Sequence, residues 1–125
     1  MNLMPLADLL QQNGLGIQGQ TIFINQMPVE TPLAVMLRTP LSGTKVNYEL
    51  PGYYKTNFQL IARADGFENG KALSDSVTAA LTLVETQVET MYFKYCRPMT
   101  LGIPFPVSKG NLIEISTMFE CIFIQ

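Results

Sequence analysis

Periodicity switches once in the middle of this chain, between Phe58 and Val84. Phe58-Gln59-Leu60-Ile61-Ala62-Arg63-Ala64 largely alternates apolar and polar side chains, the two-residue repeat of a half-buried strand. Lys71 to Val84 instead sets Leu73, Val77, Ala80, Leu81 and Val84 at helical spacing, with one apolar face. Asp65-Gly66-Phe67-Glu68-Asn69-Gly70 between them reads as a turn. Gly66 and Gly70 permit the reversal, and Asp65 or Asn69 caps the helix start. A strand that hands over to a helix is one packing unit, and the rest of the chain must supply the sheet that completes it.

The flanks supply strands. Leu3 to Asn13 reads as a short helix, with Pro5 tolerated in its first turn and Gly14 as its left-handed stop. Gly14-Leu15-Gly16-Ile17-Gln18-Gly19 spells the dinucleotide pattern G-x-G-x-x-G, but that fingerprint needs a strand before it and a helix after it. Here the order is reversed, because a strand, Thr21 to Ile24, follows; the glycines make a connector. Leu33 to Arg38 is a continuous apolar strand. Thr39 to Tyr54 is turn-rich and longer than a hairpin needs, which predicts a projecting arm.

Thr90 to Arg97 is the next strand. Met99 to Lys109 is extended and carries Pro104 and Pro106, so it cannot pair fully with a sheet. In Leu112 to Ile124 the residues Ile113, Ile115, Phe119, Cys121 and Phe123 share one face, and Glu114, Ser116 and Glu120 the other. Five strands that mostly neighbour in sequence, with two helices on one face, predict an α+β fold with a largely antiparallel sheet and a projecting hairpin arm. At 125 residues the chain is expected to form a single domain, residues 1–125.

Composition narrows the function classes. Charged residues make up 14% of the chain against roughly 25% in typical soluble domains, and the net charge is -2. The basic residues form no cluster in the sequence, so a nucleic-acid-binding groove has no electrostatic footprint. No apolar run approaches the roughly 20 residues of a membrane span, and Met1 to Leu6 lacks the pattern of a secretory signal, so no membrane partner is expected. Seven methionines and twelve aromatic residues are either core or protein-contact side chains.

Catalysis finds no nominee. The chain has no histidine, the commonest general base near neutral pH. Asp65, Glu68 and Asp75 suit helix capping and dipole complementation better than metal binding. Glu114 and Glu120 are too far apart along one strand to act as a pair. Cys96 and Cys121 read as buried free thiols, with a disulfide as the alternative. The expectation is no catalytic residue, no metal and no cofactor.

Taken in order, several stretches resemble the tail terminator (tail completion, minor capsid or neck) proteins of tailed bacteriophages. These are Ile22 to Pro28, Leu33 to Arg38 with Ser42-Gly43, Leu50-Pro51-Gly52-Tyr53-Tyr54 running into Phe58 to Arg63, and the helix from Ala72 to Leu81. The last is Pro104-Phe105-Pro106, turning through Ser108-Lys109-Gly110 into the strand from Leu112 with Glu114. The resemblance implies a structural virion protein, assembled in the host cytoplasm, that forms a ring, usually a hexamer, at the head-proximal end of a tail or neck. Such a ring ends tail-tube polymerisation and offers a docking surface to head-completion proteins. It lets double-stranded DNA pass through its lumen without sequence-specific binding.

A ring needs two different surfaces that meet head to tail. The arm and the Met99 to Lys109 extension are the candidates, with Tyr48, Tyr53, Tyr54, Leu101 and Phe105 as exposed apolar contacts and Arg63 as an inter-subunit ion-pair partner. The competing reading is a small monomeric or dimeric adaptor or ligand-binding domain in which these residues fold back onto their own core.

Overall fold

The computed structural model describes residues 1–39, 42–107 and 111–125. Its elements are α1 (Met4–Gln12), β1 (Ile22–Ile24), β2 (Ala34–Arg38), β3 (Lys45–Val46), β4 (Tyr53–Asp65), α2 (Phe67–Leu81), β5 (Leu83–Val88), β6 (Met91–Pro98), β7 (Ile103–Pro106) and β8 (Leu112–Ile124). The class is α+β, as the periodicity predicts, but the sheet has eight strands rather than five. The additional ones are β3, β5 and β7.

The centre of the sheet is one long antiparallel pair. β4 and β8 run beside each other over thirteen residue pairs, from Tyr53 opposite Ile124 to Asp65 opposite Leu112. Each has two shorter strands end to end along its outer edge. β2 and β3 flank β4, while β6 and β7 flank β8. β1 extends the sheet in parallel beyond β2, and β5 forms the edge beyond β6.

The two-residue repeat of β4 and β8 separates two faces. Phe58, Leu60, Phe119, Cys121 and Phe123 turn to the helix side and are buried, in one core with Leu6 and Leu10 of α1 and Val77 and Leu81 of α2. Each such apolar side chain contributes about 1.5–3 kcal/mol on burial. Phe58 and Phe119 are direct cross-strand neighbours, stacked 5.0 Å apart at 8°.

α1 ends as its sequence predicts. Gly14 has φ 73°, its amide donates to Gln11 O at 3.0 Å, and the Leu15 amide donates to Leu10 O at 3.0 Å. This paired closure satisfies carbonyls that the helix end leaves free.

The strand–helix junction is tighter than Asp65 to Gly70. Only Gly66, at φ 86°, separates β4 from α2, and neither Asp65 nor Asn69 caps the helix through its side chain. The Asn69 amide instead donates to the Asp65 carbonyl at 2.8 Å. Gly70 is a buried helical residue whose Cβ, if present, would lie 3.1 Å from Ile113 Cγ2; its small size lets α2 settle onto β8. Val84, placed on the helix by spacing, belongs to β5 and is exposed.

Candidate assembly surfaces

The arm folds back as a hairpin. β3 pairs with Lys55 and Tyr54 at the start of β4, and the tip between them is held locally. Asn47 Oδ1 accepts from the amides of Glu49 and Leu50 at 2.9 and 3.1 Å, and the Tyr53 amide donates to Leu50 O at 3.1 Å. Gly52, at φ 87°, brings its backbone against the chain end, where its carbonyl accepts from the Gln125 amide at 3.0 Å. Pro40 and Leu41, in the turn expected at Thr39 to Thr44, lie outside the described residues, as do Ser108, Lys109 and Gly110.

Between this hairpin and the open face of the sheet lies a groove of about 820 Å³, lined by Val46, Tyr48, Leu50, Tyr53, Tyr95 and Ile122 among others. Tyr48 at its lip is 94% exposed. Tyr54, next to Tyr53, turns inward and stacks on Phe123 at 5.3 Å, so most of its ring serves the core.

A second apolar surface runs along the first half of β8, from Met99 beside Met118 to Phe105 opposite Glu114. Met99, Leu101, Ile103 and Phe105 are all half or more exposed, Leu101 at 91%. β7 pairs with β8 on one side only, so the proline-bearing segment joins the sheet as an edge without pairing fully. The Val107 amide donates to Leu112 O at 3.1 Å. Alternation from there turns the amides of Phe105 and Ile103 toward β8 and the donor-less nitrogens of Pro104 and Pro106 away.

Arg63, expected as an inter-subunit ion-pair partner, has an ion pair within its own chain. It is buried, its Nε and Nη2 donate to Glu114 Oε2 at 2.9 and 2.7 Å, and its Nη1 donates to Pro28 O at 2.7 Å. A guanidinium this buried needs partners already in the single chain.

Polar pairs organise the rest of the open face. Glu120 accepts from Tyr95 Oη at 2.6 Å and lies 3.5 Å from Arg97, whose guanidinium stacks over the Tyr95 ring at 4.3 Å. The Tyr95 hydroxyl first, and the cations Lys55 and Arg97 next, hold the Glu120 carboxyl below the usual carboxylate range. Glu85 bonds Tyr92 and lies 3.1 Å from Lys94. It sits at φ 47°, opposite the irregular step between Phe93 and Tyr95. A non-glycine residue in this region costs on the order of 1–3 kcal/mol unless its surroundings hold it there.

Asp75 is tied to Lys71 at 2.8 Å, and among the described residues no three Cys, Asp or Glu side chains converge as metal ligands. Cys96 and Cys121 face each other across β6 and β8 as buried free thiols. Sequence reasoning named Tyr48, Tyr53, Leu101 and Phe105 but missed Lys45, Lys55, Tyr95 and Ile122. Their shared location depends on strand pairing; the only sequence signal was the alternation of Tyr53 with Lys55.

Comparison with known proteins agrees with this architecture. A chain from a structure titled "Virion of native gene transfer agent (GTA) particle" has the same fold. Its TM-score is 0.61 at 18% identity, over 96% of this chain and 84% of that one. No curated protein matches. A family model described as "Bacteriophage tail terminator protein" matches residues 9–123. The chain therefore belongs to the bacteriophage tail terminator protein family.

Proposed function

We propose that this chain is a non-catalytic ring subunit at the head-proximal end of a phage tail. The ring, a hexamer, seats on the last ring of the tail tube, ends its polymerisation and presents its other side to head-completion proteins. Double-stranded DNA passes through the lumen without sequence-specific contacts.

The observation that carries this reading, beside family membership, is the pair of separate apolar surfaces, one at the hairpin end of the β4–β8 ladder and one along the first half of β8. Tyr48 at the hairpin end and Leu101 beside the middle of β8 are each more than nine-tenths exposed. In a chain with only 14% charged residues, such surfaces call for cover by other proteins. Two unlike patches on one subunit make a heterologous contact, which closes into a ring when the rotation permits.

Tube assembly tests the proposal. Polymerising tail-tube protein is mixed with this protein and imaged by negative stain, and sedimentation measures the free protein across concentration. Tubes that stop growing with a ring at one end, of mass six times 13.9 kDa, are expected. Tubes that lengthen unchanged and carry no added density would sink the reading.

A further inference from the structure

We infer that the groove under the β3–β4 hairpin receives the 99–106 segment of a second copy of this chain. The inference rests on the ring reading above and specifies its contact.

Strand addition is poorly served at either edge near these surfaces. The edge of β7 presents prolines where donors are needed, at Pro104 and Pro106. The edge of β5 is interrupted by Glu85 at φ 47°. Both features are ones that proteins use to blunt sheet edges. Side chains must therefore make the contact, and the two surfaces match in kind. The groove has an apolar floor of Val46, Tyr48, Leu50, Tyr53, Tyr95 and Ile122, with charged side chains including Lys45, Lys55, Glu49 and Glu85 also lining it. The segment offers Leu101, Ile103 and Phe105 and contains no charged residue from Met99 to Pro106.

One copy cannot fill its own groove with this segment. Ile122 lines the groove, while Phe105 is opposite Glu114, eight residues back along β8, or about 26 Å at the usual rise of a strand.

Charge supplies the orientation. Lys45 and Lys55 are direct cross-strand partners, both exposed, and neither makes an ion pair among the described residues. Like charges placed directly opposite are destabilising, and within one chain the attraction of Glu120 for Lys55 offsets this without forming an ion pair. At the other end of the ladder, across β8 from β7, stand Asp65, opposite Leu112, and Glu68 in the first turn of α2, both exposed and likewise without an ion pair among the described residues. A neighbour seated through its 99–106 segment brings this acidic end toward the lysine pair. The contact is head to tail, between unlike ends.

Cysteine cross-linking of the full chain tests this. Tyr48→Cys and Leu101→Cys alter side chains that are almost wholly exposed, and native Cys96 and Cys121 are buried, so they do not compete. Under mild oxidation each single variant should stay uncross-linked, an equal mixture should give dimers, and the double variant should give a ladder ending at the ring. Rings that form without any Tyr48→Cys to Leu101→Cys bond overturn the contact and leave the ring reading standing. A double variant that stops at dimers shows a twofold contact and also overturns it. No ring under any condition, with the fold intact by a cooperative melt, sinks the ring reading itself. In a second arm, Lys45→Glu with Lys55→Glu should abolish the ladder, and adding Asp65→Lys with Glu68→Lys should restore it. Failure to restore overturns the charge match.

Discussion

Arg63 and Glu114 face each other as direct partners on β4 and β8, and the same guanidinium holds the carbonyl of Pro28 at 2.7 Å. One side chain thus joins the central ladder to the segment between β1 and β2, with further contacts to the carbonyls of Val29 and Thr31. Because Arg63 is buried, Arg63→Ala strands the Glu114 carboxylate and frees those carbonyls. The expected loss is about 3–5 kcal/mol, read by urea denaturation, with faster amide exchange over residues 26–32. Arg63→Lys should recover only part of it, since an ammonium cannot reproduce the fork geometry.

Two glycines pack under opposing pressures. A Cβ on Gly102 would lie 2.6 Å from Ile115 Cγ2 and 3.3 Å from Thr117 Oγ1. Gly102→Ala should cost about 1–3 kcal/mol, the usual penalty of overpacking. At Gly70 the nearest atom is 3.1 Å away, and alanine gains about 1 kcal/mol of helix propensity. Gly70→Ala should come out near neutral in the same denaturation series.

Acid and base act oppositely at two exposed carboxylates. The Tyr92 hydroxyl, then Lys94, hold the Glu85 carboxyl below its ordinary value. The folded state favours its charged form, so its contribution is full above the unfolded pKa and is lost as pH falls through the lowered one. A hydrogen bond with Asp8, then burial, hold the Glu89 carboxyl above its ordinary value. Its contribution is full below the unfolded pKa and is lost as pH rises through the raised one. Carboxyl NMR titration should place Glu85 below Glu89. The destabilisation caused by Glu85→Gln at neutral pH should vanish in acid.

The thiol pair should be inert in the native protein. Its hydrogen bond with Cys121, then burial, push the Cys96 thiol well above its ordinary value. A thiol-specific reagent at pH 8 should label neither cysteine until urea unfolds the chain. Rapid native labelling would contradict the buried placement of both sulfurs.

Much of this structure was legible in the sequence, where side-chain order alone decides the answer. Leu112 to Ile124 alternates cleanly, and its two faces are as the order of Ile113, Ile115, Phe119, Cys121 and Phe123 predicts. Gly14 stops α1 because only the local backbone is involved. The failures share a different cause. Val84 follows Leu81 at helical spacing, so β5 was hidden behind the end of α2; its pairing with β6 is what makes it a strand. Pro104 and Pro106 argue against a strand until the paired side of β7 is known. Gly70 looks like a turn residue until Ile113, 43 positions later, is seen against it. For the same reason the intrachain partner of Arg63 and the convergence of Tyr53, Tyr95 and Ile122 on one groove were beyond local pattern.

The thirteen-residue β4–β8 ladder has a mechanical consequence. It spans about 40 Å at a strand's usual rise, with the hairpin groove at one extremity and the end of β7, Pro106 opposite Ile113, toward the other. Tension applied between those extremities runs along the strands, so the rungs are sheared together rather than peeled one by one. The molecule is stiff along this axis, and a displacement imposed at one end is carried to the other as a rigid lever carries it.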